Sequence, residues 1–529
     1  MIKEISISLP PADAENPEKI KRRAADQLQI NPNRIRGLHV IRKSIDARGR
    51  PILMRLMLQV FVDEPVKPLS KPVFNFKDCH QSDKKVIIIG AGPAGLFAAL
   101  FLLESGIQPL ILERGKDVRS RRRDLALLNR EGLLNPESNY CYGEGGAGTY
   151  SDGKLYTRSS KRGNIKRILD LFVHFGADER ILVEAHPHIG TNQLPKIITA
   201  MREAIIGYGG EIHFEQKLTD FKISNQKIAE VITAKGDRFQ GNAVILATGH
   251  SARDIFELLH NKNILIEPKP FALGVRLEHP QSLIDQLQYH DPEARCLLPP
   301  ASYSLVEQIN GKGVFSFCMC PGGIIAPAST SENELVVNGW SPSKRNNPFA
   351  NSGMVVQVEK EDALASMQHL GISENDPLIF MKFQQMVEQN SFKAGGGHFK
   401  APAQRMADFS DNKFSATLPT CSYLPGVTSF NLSQILPGFI YQRLAKGFKA
   451  FGKKMKDGGH SFFTNEALVV ATESRTSSPV RIPRNNDTLQ HPQISNLYPC
   501  GEGAGYAGGI VSAAMDGERV ANAITQFLL

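Results

Sequence analysis

Between Lys85 and Gly115 the hydrophobic pattern changes twice. Val86 to Ile89 form a continuous apolar run of strand length, Pro93 to Ser105 form a stretch of small and apolar residues of helix length, and Pro109 to Leu112 form a second apolar run. A short apolar run bounded by turn residues predicts a strand, and a longer run that ends at a glycine predicts a helix. The pattern therefore predicts a βαβ unit, with Glu113 directly after its second strand.

Three glycines, Gly90, Gly92 and Gly95, join the first strand to the helix in a G-x-G-x-x-G sequence. In a dinucleotide site the first permits a tight turn, the second lets the backbone approach a pyrophosphate, and the third lets the helix pack closely on the strand. The helix N-terminus offers free N–H groups to an anion. Glu113 lies 18 residues after Gly95, where a carboxylate accepts a ribose hydroxyl. The stretch predicts a dinucleotide-binding site.

Residues 1–75 are predicted to form a separate small α/β module with no cluster of catalytic residue types. The pattern gives a strand, a helix and two further strands over Ile2 to Leu9, Pro17 to Leu28, Ile35 to Ser44 and Ile52 to Val62. The proline-containing segment 63–83 is predicted to be a linker.

Two later stretches repeat the pattern of an apolar strand followed by glycine. The first begins at Ala243 and ends in Ala247, Thr248 and Gly249. The second lies near the C-terminus, where a strand leads to Gly501 and Glu502, then to Gly508 and Gly509, and to a helix over Ile510 to Phe527. The N-terminus of that helix would favour the electron-rich end of a flavin, and Glu502 is predicted to accept a ribityl hydroxyl. Residues 265–465 contain no further unit of this kind.

Composition narrows the class of protein. The 529 residues suggest about three domains of ~150 residues, and 62 basic against 53 acidic residues give a net charge of +9. That balance suits an anionic cofactor or substrate, and only weakly suggests nucleic acid. The seven cysteines are odd in number and scattered, which favours a reducing cytoplasm. No secretory signal is apparent, and the glycine turn inside the apolar stretch 86–103 argues for strand plus helix, so no membrane contact is expected.

The three separated pieces resemble the FAD-binding domain of the glutathione-reductase-like flavoproteins with one dinucleotide fold, over about residues 84–250 and 490–529. The resemblance implies FAD, with Glu113 on the adenosine ribose, Gly90 to Gly95 on the pyrophosphate, and Gly501 to Gly509 on the ribityl chain and isoalloxazine. More narrowly, GEGGAGTYSDGKL, FCMCPGG, ESRTSSPVRIPR and CGEGAGYAGGIVSAAMDG resemble the bacterial uncharacterised FAD-dependent, or NAD(FAD)-utilising, dehydrogenases. The superfamily usually carries Asp where this chain has Glu502.

The predicted fold class is α/β. A Rossmann-like FAD-binding domain is expected from residues 84–265 and 466–529, with an inserted α+β substrate or cap domain over 266–465 and the small N-terminal module. The region 266–465 is interpreted as the part that covers the flavin and shapes the substrate pocket.

Two further stretches extend the predicted cofactor site. Arg119 and Arg123, one helical turn apart, form either a basic clamp on phosphates or a solvated helix face. The glycine-rich segment 143–154 is either a loop lying flat against a planar ring or a flexible connection. The predicted cofactor-binding residues are Gly90, Gly92, Pro93, Ala94, Gly95, Glu113, Arg114, Arg119, Arg123, Gly145, Gly146, Ala147, Gly148, Ser151, Asp152, Leu218, Ala247, Thr248, Gly249, Gly501, Glu502, Gly508, Gly509 and Ile510.

Cys318 and Cys320 lead the catalytic candidates. A C-x-C pair before a Pro-Gly-Gly turn suits a redox couple with flavin or a proton donor if the thiols are exposed and their pKa values lowered; small buried side chains are the alternative. On an extended strand the two would share one face, with Met319 opposite. No second cysteine or histidine pair accompanies them, so no metal site is predicted.

Two histidines and two arginines complete the candidates. His250 follows the Ala-Thr-Gly turn and His398 lies in a glycine-rich loop; each is either a proton donor or acceptor or a structural hydrogen-bonding group. Arg475 and Arg481 are predicted to anchor a carboxylate or phosphate, or else to form surface ion pairs.

The leading hypothesis is a cytoplasmic FAD-dependent oxidoreductase that transfers hydride between flavin N5 and a small organic substrate. An anionic substrate would suit the basic net charge of the chain. NAD(P)H is compatible as a transient electron donor. Two alternatives stay open. One is a flavin-dependent RNA-modifying enzyme, although this sequence shows no evident stripe of interleaved basic and aromatic residues. The other is a non-enzymatic flavin redox sensor. The sequence leaves the oligomeric state undetermined.

Overall fold

The computed structural model describes residues 1–69, 72–157, 163–291 and 295–529. Its N-terminal part is a three-stranded antiparallel sheet of Ile2–Leu9, Ile35–Asp46 and Leu53–Val62, with the last strand in the middle. The helix Pro17–Leu28 buries Ile20, Ala24 and Ala25 against this sheet. The predicted order of strand, helix and two strands is confirmed.

A five-stranded parallel sheet forms the next layer. Its strand order is Leu497–Pro499, Ala243–Leu246, Lys85–Ile89, Gln108–Leu112 and Glu211–His213. Parallel strands end at the same edge of a sheet, and ligands bind where the strand order reverses. The residues that follow these strands therefore meet at one edge, although they are far apart in the sequence.

Helices cover one face of the parallel sheet and an antiparallel ribbon covers the other. The first face carries Pro93–Ser105, Ile165–His174, Leu194–Gly207 and Ile510–Leu528, whose apolar side chains form one core with Val86 and Ile88. The second face carries Leu218–Ser224, Lys227–Thr233, Arg238–Phe239 and the helix Arg253–Asn261. Alternate residues of the central strand thus point into two different cores.

A seven-stranded mixed sheet lies in the third part of the chain. Its strand order is Val306–Ile309, Lys312–Cys320, Phe349–Val358, Phe271–Pro280, Leu468–Glu473, Ala401–Arg405 and Val427–Ser429. The helices of this region are Gln281–Tyr289, Lys360–Ser366, Ile379–Ala394, Met406–Ser410 and Gly438–Lys454. Leu468–Glu473 pairs with Phe271–Pro280 inside this sheet, so the sheet extends beyond the boundary at residue 465 that the sequence analysis set.

Shorter elements complete the architecture. They are the helix Val118–Glu131 and the two-stranded pairs Ile324–Pro327 with Val337–Trp340, Glu267–Pro268 with Val480–Arg481, and Lys456–Asp457 with His460–Ser461. Single 3₁₀ turns occur at Pro32–Arg34, Gly146–Gly148, Glu179–Leu182, Gln368–Leu370 and Leu432–Gln434. Among the described residues, no helix has the length and apolar character needed to cross a membrane.

Candidate functional site

A cleft of about 420 Å³ opens at the carboxyl edge of the parallel sheet, between that sheet and the seven-stranded sheet. Glu113 follows the strand on one side of the central strand Lys85–Ile89, and Glu502 lies just beyond the strand at the other edge of the sheet. The cleft therefore has two ends. We call the end at Glu113 the nucleotide end and the end at Glu502 the reactive end.

Glycines bring backbone close together in the middle of the cleft. Gly90 has a φ of +107°, and a Cβ there would lie 2.5 Å from the carbonyl oxygen of Ala247. A Cβ on Gly95 would lie 2.0 Å from the carbonyl oxygen of Gly90, so this glycine lies under the turn and sets the helix against the strand. This confirms its predicted packing role; it lies outside the cleft lining, and its contact with the cofactor stays a prediction.

The helix that begins at Pro93 has a free N-terminus. Its N-cap is Gly92, which provides no side-chain hydrogen bond, and a Cβ on Gly92 would meet only the Cα of Gly146, at 3.9 Å. The first N–H groups of a helix lack partners within the helix and carry the positive end of its dipole. Because Gly92 and Gly146 line the cleft, this helix N-terminus is placed to bind an anion there.

Glu113 ties three loops together at the nucleotide end. Its buried carboxylate accepts hydrogen bonds from the N–H groups of Ala91 at 2.8 Å, Gly115 at 2.8 Å and Gly143 at 2.9 Å. A carboxylate has about four acceptor positions, so one position is left for a ligand hydroxyl. The contact with ribose stays a prediction.

Sequence reasoning missed Gln216, which lies beside Leu218 in the wall of the nucleotide end. Its side-chain nitrogen donates to Asp237 at 2.7 Å, while its buried Oε1 has no hydrogen-bond partner among the described residues. A buried acceptor without a partner costs free energy that a ligand donor would recover. No sequence signal marks Gln216, since its position depends on the edge strand Glu211–His213.

Arg114 also lines the nucleotide end, as predicted from the sequence. It is held by ion pairs with Glu137 at 2.6 Å and Asp254 at 2.9 Å, and its guanidinium lies 4.1 Å from the centre of the Tyr142 ring. These partners fix the side chain before any ligand arrives.

The basic helix presents a different arginine from the two that were predicted. Arg119 and Arg123 are exposed, whereas Arg121 is fully buried. Arg121 lies on the helix face that also buries Val118 and Leu125, and its spacing of three and four residues from them explains why. Arg119 and Arg123 lie outside the cleft lining, which favours the solvated helix face over the phosphate clamp for these two residues.

Arg121 holds the glycine-rich loop through backbone carbonyls. It donates to the carbonyl oxygens of Asn139, Tyr140, Glu144 and Gly146, at distances from 2.8 to 3.0 Å. A planar guanidinium carries five N–H groups in a fixed fork, which suits several acceptors at once. The loop is thus an ordered part of the cleft wall.

The glycine-rich segment contributes only part of itself to the cleft. Gly146, Ala147 and Gly148 line it, and so do Ser151, Asp152, Gly153 and Lys154. Gly145 packs behind the loop, where a Cβ would lie 2.0 Å from the Thr149 hydroxyl oxygen. Its prediction as a cofactor contact is corrected for that reason.

The C-terminal glycines frame the reactive end. Gly501 lies behind the cleft wall, where its N–H donates to Asp516 at 2.8 Å, so this predicted contact is also corrected. Gly508 and Gly509 do line the cleft, and a Cβ on either would meet no atom within 4 Å. Gly509 is the N-cap of the helix that begins at Ile510 and provides no side-chain cap. A second free helix N-terminus thus faces the cleft.

Glu502 and His250 form a titratable pair at the reactive end. His250 Nε2 lies 3.9 Å from Glu502 Oε1, and His250 Nδ1 is buried without a partner among the described residues. Burial raises the pKa of Glu502 to about 7, and burial with the nearby Arg475 charge lowers the pKa of His250 to about 3. At neutral pH the histidine is therefore neutral, and the glutamate is close to its midpoint.

Cys318 and Cys320 do not share one strand face as predicted. Cys318 has a φ of +47°, and the pairing register shifts between Phe317 and Cys320, which is a β-bulge. A bulge breaks the alternation of side chains along a strand. Cys318 is exposed and lines the cleft, and Cys320 is buried and outside its lining.

Two cations lie against the cysteine pair. Lys154 Nζ is 3.7 Å from Cys318 Sγ and 3.8 Å from Cys320 Sγ, and also donates to the carbonyl oxygen of Met319. Arg276 donates to Cys320 Sγ at 3.4 Å. The interaction with Cys320 and the charges of Lys154 and Arg276 lower the pKa of Cys318.

The other predicted catalytic candidates are not placed to bind an anionic substrate in the cleft. Arg475 lines the cleft but is buried in an ion cluster with Glu388 at 3.0 Å and Glu334 at 3.4 Å, so its charge is already compensated. Arg481 is exposed and outside the cleft lining, as is His398. Arg481 lies at the short strand pair Glu267–Pro268 with Val480–Arg481, and His398 follows the helix Ile379–Ala394.

Comparison with known proteins gives family matches along most of the chain. A family model described as FAD-dependent protein, C-terminal domain-like, matches residues 270–476, a model of an FAD binding domain matches residues 83–130, and a domain of unknown function matches residues 1–61. An uncharacterized protein of Clostridium beijerinckii is 37% identical over 525 residues, which are 96% of each chain.

Solved structures are related more distantly. A glycine oxidase from Bacillus cereus is 14% identical, with a TM-score of 0.30 over 84% of this chain and 96% of its own. A flavoprotein/dehydrogenase from Cytophaga hutchinsonii is 12% identical, with a TM-score of 0.34 over 84% of this chain and 79% of its own. Likeness at this level does not carry an activity to this chain, and the glutathione-reductase-like subclass stays a prediction.

The residues of the cleft fit FAD. The two free helix N-termini suit the charge of a dinucleotide. Gly508 and Gly509 leave open space at the positions that a Cβ would occupy. The buried Gln216 Oε1 has no hydrogen-bond partner among the described residues, so a ligand donor would satisfy it. These features agree with the two family models that name FAD. The chain therefore belongs to a family of FAD-dependent flavoproteins that includes the Clostridium beijerinckii relative, and its cofactor is FAD.

Proposed function

We propose that this protein is an FAD-dependent oxidoreductase that transfers a hydride between its cofactor and a small organic substrate at the reactive end of the cleft. One observation carries the proposal: the free helix N-terminus at Ile510, the titratable Glu502 and the ammonium of Lys154 line the same cleft. Bound FAD would supply hydride and electron transfer, and the protein supplies binding, orientation and electrostatics.

The cofactor would be held in one direction along the cleft. The N-terminus at Pro93 would bind the diphosphate, and Glu113 with Gln216 would bind the adenosine half. The N-terminus at Ile510 would then lie at the flavin, where its positive dipole end favours negative charge. This direction leaves the wall formed by Lys154 and Cys318 for the substrate.

Glu502 is the group best suited to move a proton. Because its pKa is raised to about 7 by burial, it holds or releases a proton with little free-energy cost near neutral pH. The neutral His250 beside it does not add a competing positive charge. Lys154 keeps its charge, since Cys318, Cys320 and Asp152 raise its pKa despite burial, and it therefore favours an anionic substrate.

The proposal is tested by anaerobic reduction of the FAD-loaded protein. Flavin absorbance is followed while NADH, NADPH and a panel of small organic acids are added one at a time. We expect at least one donor to bleach the flavin, and Lys154→Met to raise the KM for an anionic donor more than it lowers kcat. Lys446→Met is the matched control on a solvent-facing helix position. Failure of every donor to reduce the bound flavin would overturn the proposal.

Within the described residues, no particular contact favours RNA modification or redox sensing without turnover. A cytoplasmic location and the use of NAD(P)H remain proposals. The reduction experiment addresses the second directly.

A further inference from the structure

Two thiols and two cations meet in the wall of the reactive end. One nitrogen, Lys154 Nζ, contacts both sulfur atoms, at 3.7 Å for Cys318 and 3.8 Å for Cys320. Arg276 contacts the second sulfur from the buried side at 3.4 Å. Each cation also has a carboxylate partner, which is Asp152 at 3.8 Å for Lys154 and Glu473 at 3.1 Å for Arg276. The sulfurs are therefore contacted by the cationic members of two ion pairs.

The two thiols differ in exposure and in pKa. Cys318 is exposed in the cleft and Cys320 is buried. The pKa of Cys318 is lowered by Cys320 and the two cations, and the pKa of Cys320 is raised by its interaction with Cys318 and by burial. A thiolate is the reactive form of cysteine. The pair thus consists of an accessible nucleophile and a protected thiol behind it.

The backbone permits a bond between the two sulfurs. Residues two positions apart span at most about 7 Å in a fully extended chain, and disulfides form when the Cα atoms lie about 4.4–6.8 Å apart. The two side chains already lie close together, because one ammonium nitrogen contacts both sulfurs and Cys320 Sγ lies 3.4 Å from the carbonyl oxygen of Cys318. Both cysteines are free thiols in this structure, which is the reduced form of such a pair.

We propose that Cys318 and Cys320 form a redox-active dithiol that reduces a disulfide-bonded substrate in the cleft. The Cys318 thiolate attacks one substrate sulfur, a mixed disulfide forms, and the first substrate thiolate leaves. The Cys320 thiol loses its proton and attacks the sulfur of Cys318, which releases the second substrate thiolate. Across both steps the dithiol loses two electrons and two protons, and the substrate gains them as two thiols.

Renewal of the dithiol rests on the proposed function. The two electrons must return from FAD, which an organic hydride donor has reduced. The exchange with a disulfide is independent of that renewal, so the two ideas are separable by experiment.

The test uses the FAD-loaded protein after reduction with a phosphine and its anaerobic removal, with glutathione disulfide as the probe. We expect two glutathione molecules released per protein and a disulfide between Cys318 and Cys320, found by alkylation and peptide mass mapping. Cys320→Ser should release one glutathione and keep one bound at Cys318. Cys318→Ser should release none, and Cys296→Ser, which changes an exposed cysteine elsewhere, should match the wild type.

Absence of the disulfide in wild type, or a Cys320→Ser variant that still releases two glutathiones, would overturn the inference. Circular dichroism and FAD content verify that each variant is folded, and Cys320→Ala replaces the serine variant where it is not. If glutathione is released but no donor bleaches the flavin, the proposed function fails and the dithiol stands. If a donor bleaches the flavin and no thiol is lost, the dithiol fails.

A second measurement probes the charge of the pair. We expect iodoacetamide to alkylate Cys318 at lower pH than an ordinary thiol, because its pKa is lowered and the thiolate is the reactive form. Lys154→Met should raise the pKa and move the alkylation profile to higher pH. Equal alkylation profiles for the two proteins would contradict the role given to Lys154.

Discussion

Replacing Arg121 with lysine tests how the glycine-rich loop is held in the cleft wall. The guanidinium makes hydrogen bonds to the carbonyl oxygens of Asn139, Tyr140, Glu144 and Gly146, from 2.8 to 3.0 Å long. An ammonium group has three donors on a single nitrogen and does not span four separated acceptors. At least one buried carbonyl therefore loses its partner in Arg121→Lys.

The magnitude follows from that single loss. A hydrogen bond that involves a charged group contributes about 1.5–3 kcal/mol, and about 1.4 kcal/mol is a factor of ten in a dissociation constant. In Arg121→Lys the loop is no longer fully held in place before FAD binds, so FAD binding must order it and this cost appears in the binding free energy. We expect the Kd for FAD to rise by roughly 10- to 150-fold.

The assay is a titration of FAD into the stripped protein, followed by flavin fluorescence at one ionic strength. Arg123→Lys is the matched control, because Arg123 is exposed on the same helix and should not change the Kd. Circular dichroism shows whether Arg121→Lys is folded. A Kd within about twofold of the wild-type value would refute the reasoning, since the loop would then not depend on the guanidinium.

Three further predictions concern stability. Gly95→Ala places a Cβ 2.0 Å from a backbone oxygen of the preceding turn and should lower the melting temperature, whereas Gly508→Ala meets no atom within 4 Å and should not; calorimetry compares them. Because burial raises the pKa of Glu502 to about 7, the folded form binds its proton more tightly, so the contribution of Glu502 to stability falls as pH rises from about 4.5 to 7. In urea titrations, the free energy of unfolding of Glu502→Gln relative to wild type should therefore rise over this pH range. Glu388→Gln removes one of the two carboxylates that pair with Arg253 and Arg475, and leaves Glu334 as their remaining partner. It should cost about 1.5–3 kcal/mol, against less than about 0.5 kcal/mol for the exposed Glu361→Gln, measured by denaturant unfolding.

The part of the site that depends on local sequence was predictable. The turn from Gly90 to Gly95 and the acid at Glu113 follow from an apolar strand, three glycines and a helix within one βαβ unit. The family models and the parallel sheet agree with that reading. The sequence pattern predicts this part of the site correctly because the strand, turn and helix are consecutive in the chain and pack on each other.

Residues whose position depends on distant parts of the chain were missed or misplaced. Arg121 was passed over in favour of Arg119 and Arg123 because the sequence does not show which helix face is buried. Lys154 was missed because its contact with Cys318 joins the glycine-rich segment to a strand 164 residues further along the chain. These contacts depend on how the two sheets pack on each other, and the hydrophobic periodicity of a single helix or strand carries no information about that packing.

The bulge at Cys318 shows the same limit for a strand. Alternation along an extended strand places Cys318 and Cys320 on one face, but the register shift against Phe349–Val358 changes their directions, so that Cys318 is exposed and Cys320 is buried. The pairing partner decides where the shift falls. The exposed thiol therefore became visible only in the folded chain.

The most direct test of the account is an experimental structure of the protein with FAD bound. The account predicts that the diphosphate lies at the N-terminus beginning at Pro93, that the adenine lies beside Gln216, and that the isoalloxazine lies at the reactive end beside Lys154 and Cys318. FAD bound in the opposite direction, with its isoalloxazine beside Gln216, or FAD bound outside the cleft, would contradict it.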